Sequence, residues 1–253
     1  MKKSIIIEGK SFVYDEEVLT YDHAPIEEED AAKILTFAKK MFVSRGLSFF
    51  LFWGTLLGAV REHSVIKGDD DIDIATLDED GLKKSLPFFY EQGFKVIRIV
   101  PGQLYSFRID ETCFIDVYIV KKLKSRLSLW YSWCYNICGH ILPKKYFTKM
   151  NAIRFLGVDC LIPNNPEKVL TILYGKTWRI PQKGAKSMGE VRSAYYFHNI
   201  YPFVKTLLLS FIAWPYLRVL LFNSFDGNVE KSVDAWKEYK ILSKEKIKKV
   251  LKK

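Results

Sequence analysis

The chain has 253 residues, 49% of them hydrophobic and 27% charged. That is ample for one sizeable core and short for two full catalytic domains, so one globular domain with an appendage is expected. A net charge of +10 favours anionic partners, and with no base-reading motif beside it the charge points away from nucleic acid and toward phosphorylated substrates or acidic lipid.

The run Met1 to Glu8 is too short in apolar residues for a secretory leader. Cys113, Cys134, Cys138 and Cys160 are therefore expected to be reduced thiols of a cytosolic protein. The first 24 residues predict a short strand and a loop. A helix is predicted from about Ile26 to Arg45, with acids Glu27, Glu28, Glu29 and Asp30 at its start and Lys39, Lys40 and Arg45 near its end. That order suits the helix dipole, and Ile34, Leu35, Ala38, Met41 and Phe42 give it an apolar face ending at Gly46.

Ser48 to Trp53 reads as a buried strand and about Leu56 to Arg61 as a short helix opened by Gly54-Thr55. Asp70 to Thr76 reads as the next strand, and Asp78 caps a helix running to about Gln92. Three strands follow, Phe94 to Val100, Gln103 to Ile109 and Cys113 to Val120, turned at Pro101-Gly102 and Asp110-Glu111-Thr112. This order predicts an α+β fold with a mixed sheet flanked by helices.

The second half is less regular. Leu127 to Leu142 is apolar and aromatic, and Cys134, Cys138 and His140 within it lack a second ligand pair, so buried thiols are expected rather than a metal site. Phe155 to Ile162 reads as strand, and Asn165-Pro166 begins a helix that Gly175 closes. Residues 195–253 are expected to be a helical appendage, apolar and then lysine-rich. Its run Thr206 to Leu217 is shorter than the ~20 apolar residues a bilayer span needs, leaving a core helix, an interfacial segment and a span as competing readings of Val204 to Phe222. Lys231 to Lys253 holds nine lysines against Asp234, Glu238 and Glu245, a solvated face or a membrane-surface contact.

The chemistry concentrates in Trp53 to Arg61 and Gly68-Asp69-Asp70-Asp71-Ile72-Asp73-Ile74. Side chains alternate along a strand, so Ile72 and Ile74 seek the core while Asp71 and Asp73 project together from the other face. Two like charges this close are unfavourable unless a cation lies between them, and oxygen ligands suit Mg²⁺ or Mn²⁺. A solvated acidic turn is the bland alternative. A calcium EF-hand loop fails because Ile74 stands where glycine is required. A third acid, Asp116, interrupts the apolar run Phe114-Ile115-Asp116-Val117-Tyr118, where burial without a partner is costly. Gly54 and Thr55 open a helix after a buried strand, an arrangement suited to phosphate, and Arg61 stands two turns on as a phosphate clamp.

Gly54-Thr55-Leu56-Leu57-Gly58-Ala59-Val60-Arg61 with Asp69-Asp70-Asp71-Ile72-Asp73 resembles the LicD family of the nucleotidyltransferase superfamily, which is similar to DNA polymerase β. Ile115-Asp116-Val117 resembles that family's third-carboxylate strand, and Ile162-Pro163, Tyr174-Gly175-Lys176-Thr177-Trp178 and Pro181 resemble its closing motif. The likeness covers about residues 30–185 within a domain set at 26–185. Lys67-Gly68 replace the family's Pro-Trp before the acids, and Arg61-Glu62-His63-Ser64 replace an Arg-His-Lys-Gly run. The resemblance implies a nucleotidyltransferase-like fold and transfer of a phosphorylated alcohol, typically phosphocholine from CDP-choline, to a hydroxyl of a cell-surface glycan or its lipid-linked precursor. It implies Asp71, Asp73 and Asp116 as metal-binding and catalytic residues. Gly54, Thr55 and Arg61 would bind the donor, and the enzyme would work in the cytoplasm or at the inner face of the membrane. Trp178, Tyr174 and Lys176 are candidates for the acceptor or base pocket. Nucleotide transfer to a small molecule and a non-catalytic membrane-associated module are the rival readings.

Overall fold

The chain opens with a hairpin, β1 (Lys2–Ile7) and β2 (Lys10–Asp15), in register from Lys2 opposite Asp15 to Ile7 opposite Lys10. The expected strand and loop is thus a pair of strands. Glu8 and Gly9, at φ 48° and 80°, form the two-residue turn with both φ values positive that matches the twist of a hairpin. The computed structural model describes residues 1–17, 24–110, 114–122, 134–138 and 140–181. These all fall in one compact unit spanning 1–122 and 133–198. Val204 to Phe222, the lysine-rich tail and half of the aromatic run from Leu127 to Leu142 lie outside the described residues.

Helix α1 (Glu28–Ser44) buries Ala31, Ile34, Leu35, Ala38, Met41 and Phe42, the predicted stripe, and keeps Glu28, Glu29 and Asp30 in its first turn. It is followed by β3 (Phe50–Leu51), α2 (Trp53–Arg61), β4 (Asp71–Thr76), α3 (Glu79–Glu91), β5 (Lys95–Val100), β6 (Leu104–Arg108) and β7 (Phe114–Ile119). Asp78 caps α3 by accepting from the Gly81 N–H at 2.8 Å. The predicted strand Ser48 to Trp53 is only two residues long. The chain leaves the sheet after Leu51, and Trp53 takes φ 43° at the start of α2, three residues before the expected Leu56.

A small sheet of β8 (Lys121–Lys122), β9 (Cys134–Ile137) and β10 (His140–Pro143) comes next, then α4 (Lys145–Thr148). The run Phe155 to Ile162, expected as one strand, belongs to two, β11 (Asn151–Phe155) and β12 (Val158–Ile162). Leu156 and Gly157, at φ 49° and 77°, supply the reversal. Helix α5 (Pro166–Tyr174) has Pro166 in its first turn and ends at Gly175, φ 83°.

The main sheet has seven strands in the order β11-β12-β3-β4-β7-β6-β5. β4 is parallel to β7 and antiparallel to β3, β12 is parallel to β3, and the remaining pairs are antiparallel. The α+β class and the mixed sheet are as the sequence predicts. Ile72 and Ile74 of β4 and Ile115 and Val117 of β7 are fully buried. Phe94 and Phe107 stack beneath them with centroids 4.5 Å apart. The two central strands are therefore locked from their apolar faces, and their register fixes what the opposite face presents. No helix among the described residues is long and apolar enough to cross a membrane.

Candidate active site

Asp73 of β4 lies directly opposite Asp116 of β7 in the parallel ladder. Asp71 sits two residues earlier on the same face. One carboxylate oxygen from each of Asp71, Asp73 and Asp116 lies within 4.8 Å of the others. Asp69, Asp70 and Asp71 make a second such group at the mouth of β4. The predicted triad therefore converges, and the alternation argument that separated Asp71 and Asp73 from the isoleucines holds.

Helix α2 is built against this cluster. Phe52, its N-terminal flanking residue, offers no side-chain cap. The Gly54 N–H donates instead to Asp73 Oδ2 at 3.0 Å, so a carboxylate from the neighbouring strand caps the helix and meets its positive end. The Asp73 N–H in turn donates to Thr55 Oγ1 at 2.7 Å, and the Phe52 N–H donates to the Asp73 carbonyl at 3.1 Å. A positive φ is a rare conformation for a residue as bulky as Trp53, and here it swings Gly54 over the acids. A Cβ at Gly54 would lie 2.7 Å from Asp69 Oδ2 and 3.3 Å from Asp73 Oδ2. Only glycine lets the backbone come this close.

The electrostatics follow from crowding. Burial, then repulsion from Asp73 and Asp116, holds the Asp71 carboxyl well above the ordinary carboxylate range. Asp73 is raised likewise by burial and by Asp116, against the opposing pull of the Gly54 N–H and a Tyr118 hydrogen bond. Asp69 is pushed up to about 6 by burial and by Asp70. Burial also raises Asp116, while Ser106 and Arg98 pull it back. Asp116 is only 4% exposed, and its Oδ1 has no hydrogen-bond partner among the described residues. A buried carboxylate oxygen costs free energy unless something meets it. Three hard oxygen donors with one orphaned lone-pair acceptor fit Mg²⁺ or Mn²⁺.

Arg61 ends α2 away from the triad. Its Nε pairs with Glu62 at 2.6 Å and its Nη1 donates to the Trp178 carbonyl at 3.0 Å. Val60, Arg61, Glu167, Trp178 and Arg179 line a cleft of about 250 Å³. Trp178 is buried, donates to Thr171 Oγ1 at 3.2 Å, and carries the Arg179 guanidinium 4.3 Å above its ring. Burial, then the charges of Asp73, Asp69 and Asp71, holds the Tyr174 hydroxyl well above its ordinary range, against the pull of Arg61.

A family model described as LicD/FKTN/FKRP, nucleotidyltransferase domain, matches residues 46–165. Residues 46–165 belong to the LicD family. This LicD domain contains Gly54, Thr55, Arg61, all three acids and Ile162-Pro163, whereas Tyr174 to Pro181 lie past its matched end. The chain is 28% identical over 114 residues to the uncharacterized protein RP689 of Rickettsia prowazekii (strain Madrid E), covering 44% of this chain and 41% of that protein. It is 33% identical over 89 residues to the uncharacterized protein RT0683 of Rickettsia typhi (strain ATCC VR-144 / Wilmington), covering 34% and 27%. The chain thus spans well under half the length of these relatives. A lower similarity, TM-score 0.40 at 13% identity, links it to the lincomycin-bound lincosamide antibiotic adenylyltransferase LnuA, over 58% of this chain and 86% of that one.

Sequence reasoning missed three residues around the LicD triad: Arg98, Ser106 and Tyr118. Arg98 Nη2 donates to Asp116 Oδ2 at 3.0 Å and its Nε to Ser106 Oγ at 3.0 Å. The signal was available, because Arg98 interrupts the apolar strand Val96-Ile97-Arg98-Ile99 as Asp116 interrupts its own. A lone cation and a lone acid in nearby apolar strands call for each other.

Proposed function

We propose that the LicD domain makes this protein a divalent-metal-dependent transferase. It moves a phosphorylated alcohol, phosphocholine or a chemically similar group, from a CDP-linked donor to a hydroxyl of a cell-surface glycan or its lipid-linked precursor. The observation that carries the reading is the convergence of Asp71, Asp73 and Asp116, with Asp116 Oδ1 buried and unpartnered. Asp71, Asp73 and Asp116 would hold Mg²⁺ or Mn²⁺, which when bound offsets the negative charge of the donor diphosphate and of the displaced phosphate.

The remaining work falls to the chain itself. The start of α2 brings its positive end to the acids, where the Gly54 N–H already meets Asp73; a donor diphosphate placed beside it would gain from that positive end, with the Thr55 O–H left to donate. Arg61, whose Nε and Nη1 are engaged by Glu62 and the Trp178 carbonyl at the far end of α2, would offer its remaining N–H groups to the part of the donor that reaches that end. The acceptor oxygen forms a bond to the headgroup phosphorus as the anhydride bond to CMP breaks. CMP leaves with the electron pair, and Asp116 is the proposed group that takes the acceptor's proton. We place the reaction in the cytoplasm or at the inner face of the membrane, where a soluble nucleotide-linked donor is available.

A second reading is nucleotide transfer to a small molecule, favoured by the description of the matched domain as a nucleotidyltransferase. The two differ in product. Purified protein with Mn²⁺ is incubated with CDP-choline, CDP-ribitol and CDP-glycerol, and with CTP or ATP plus alcohols, and the nucleotide products are separated. CMP release from a CDP-linked donor supports the proposal. Pyrophosphate release supports the second reading, and no Mn²⁺ or donor binding at all favours a non-catalytic module.

A further inference from the structure

We infer that Arg98 is a positioning residue that divides the Asp116 carboxylate into a held oxygen and a working oxygen. The inference rests on the metal-dependent reading above. Arg98 lies on β5, Ser106 on β6 and Asp116 on β7, and the ladder places Arg98 opposite Ser106 and Ser106 opposite Asp116. Asp73 lies opposite Asp116 on the next strand, β4. One face of four consecutive strands therefore carries the series Arg98, Ser106, Asp116, Asp73.

The contacts run along that series. The guanidinium forks, with Nε on Ser106 Oγ and Nη2 on Asp116 Oδ2, each at 3.0 Å. Ser106, the other end of the fork, has no solvent exposure. The register between β5 and β6 shifts between Val96 and Arg98, a local irregularity that re-aims this side chain. Oδ2 is thus engaged and Oδ1 is not, although both belong to a group that is 4% exposed. A carboxylate tethered through one oxygen has its rotation fixed; one oxygen of Asp116 lies within 4.8 Å of oxygens of Asp71 and Asp73, and in the proposed arrangement that place belongs to the untethered Oδ1.

A guanidinium does this where an ammonium cannot, because the planar fork reaches serine and carboxylate together. The arrangement parallels the outer partners that orient metal ligands, whose loss costs roughly 10–100-fold in metal affinity or activity. Positioning and simple charge balance make different predictions for the charge-preserving change.

The test compares wild type, Arg98→Lys, Ser106→Ala and Asp71→Asn by Mn²⁺ titration and Mn²⁺ electron paramagnetic resonance, alongside donor turnover. The expected result is folded Arg98→Lys and Ser106→Ala proteins whose Mn²⁺ affinity or kcat falls about tenfold or more, with KM for the donor little changed and an altered Mn²⁺ spectrum. Wild-type Mn²⁺ affinity, spectrum and kcat in Arg98→Lys would show that only the charge matters and overturn the inference. Losses that track the unfolded fraction alone, with a wild-type spectrum for the folded molecules, would overturn it too. Asp71→Asn keeps the two failures apart. If it abolishes Mn²⁺ binding while Arg98→Lys leaves binding and turnover unchanged, the role of Arg98 fails and the metal reading stands. If wild type binds no Mn²⁺, the metal reading fails and the role of Arg98 with it.

Discussion

Asp71→Asn should separate stability from function in opposite directions. The substitution keeps the shape of the side chain and removes one like charge from a cluster whose oxygens lie within 4.8 Å of one another. At that distance and an effective dielectric constant of ~20, each ionised pair repels by about 3.5 kcal/mol. Two things reduce the gain: Arg98 offsets part of the Asp116 charge, and the wild-type cluster relieves itself by taking up protons. The expected net stabilisation of metal-free protein is about 2–3 kcal/mol at pH 8, or roughly 4–12 °C in Tm. Divalent metal should reverse the order. A wild-type protein at a metal concentration about 1,000-fold above Kd gains about 4.1 kcal/mol, while Asp71→Asn gains little. Turnover by the variant should be abolished. Thermal melts in chelator and in Mn²⁺, with a parallel activity assay, read all of this. A folded Asp71→Asn protein that turns over normally, or that melts no higher than wild type in chelator and keeps the full Mn²⁺ shift, would refute the reasoning.

The pH dependence of metal-free protein should have an unusual sign for acids. Asp69 moves from 3.8 to about 6, so the folded state holds a proton that the unfolded chain has already released. Stability should therefore fall as pH rises through about 4 to 6 and stay low above it, with Asp71 and Asp73 extending the decline upward. Differential scanning calorimetry in chelator checks this, and a flat or rising Tm across that window contradicts it. Gly54→Ala places a Cβ 2.7 Å from Asp69 Oδ2, so activity should drop ~100-fold or more, since an ångström of misplacement costs about that much. The fold should survive, because the atoms struck are side-chain oxygens; circular dichroism and kcat test the pair. Thr55→Val removes the acceptor of the Asp73 N–H and leaves a buried donor unpaired, a loss of about 1–3 kcal/mol that Thr55→Ser should largely avoid in denaturant unfolding.

The central chemistry was legible because strand periodicity is a strong constraint. Ile72 and Ile74 could face only the core, which decided where Asp71 and Asp73 pointed, and the lone Asp116 declared itself by its apolar neighbours. The ladder partners were not legible. Asp73 lies opposite Asp116 through a parallel pairing across α3, β5 and β6, and no local pattern states such a long-range register. Arg98 stood out as a lone cation in an apolar strand, but its partner Asp116 could not be read without that register. Boundaries failed where positive φ values turn the chain at residues other than glycine: Glu8, Trp53 and Leu156. Propensity gives no warning at such positions. Thr55 was expected to serve phosphate; the structure gives its oxygen a backbone partner, which ties α2 to the strand that carries the acids.

Crystals soaked in Mn²⁺ and measured near the manganese absorption edge test the account at its centre. It predicts an anomalous peak within bonding distance of Asp71, Asp73 and Asp116 Oδ1, with Arg98 still on Oδ2. A fully soaked crystal with no peak at the triad, or with Mn²⁺ bound only at other carboxylates, would contradict it.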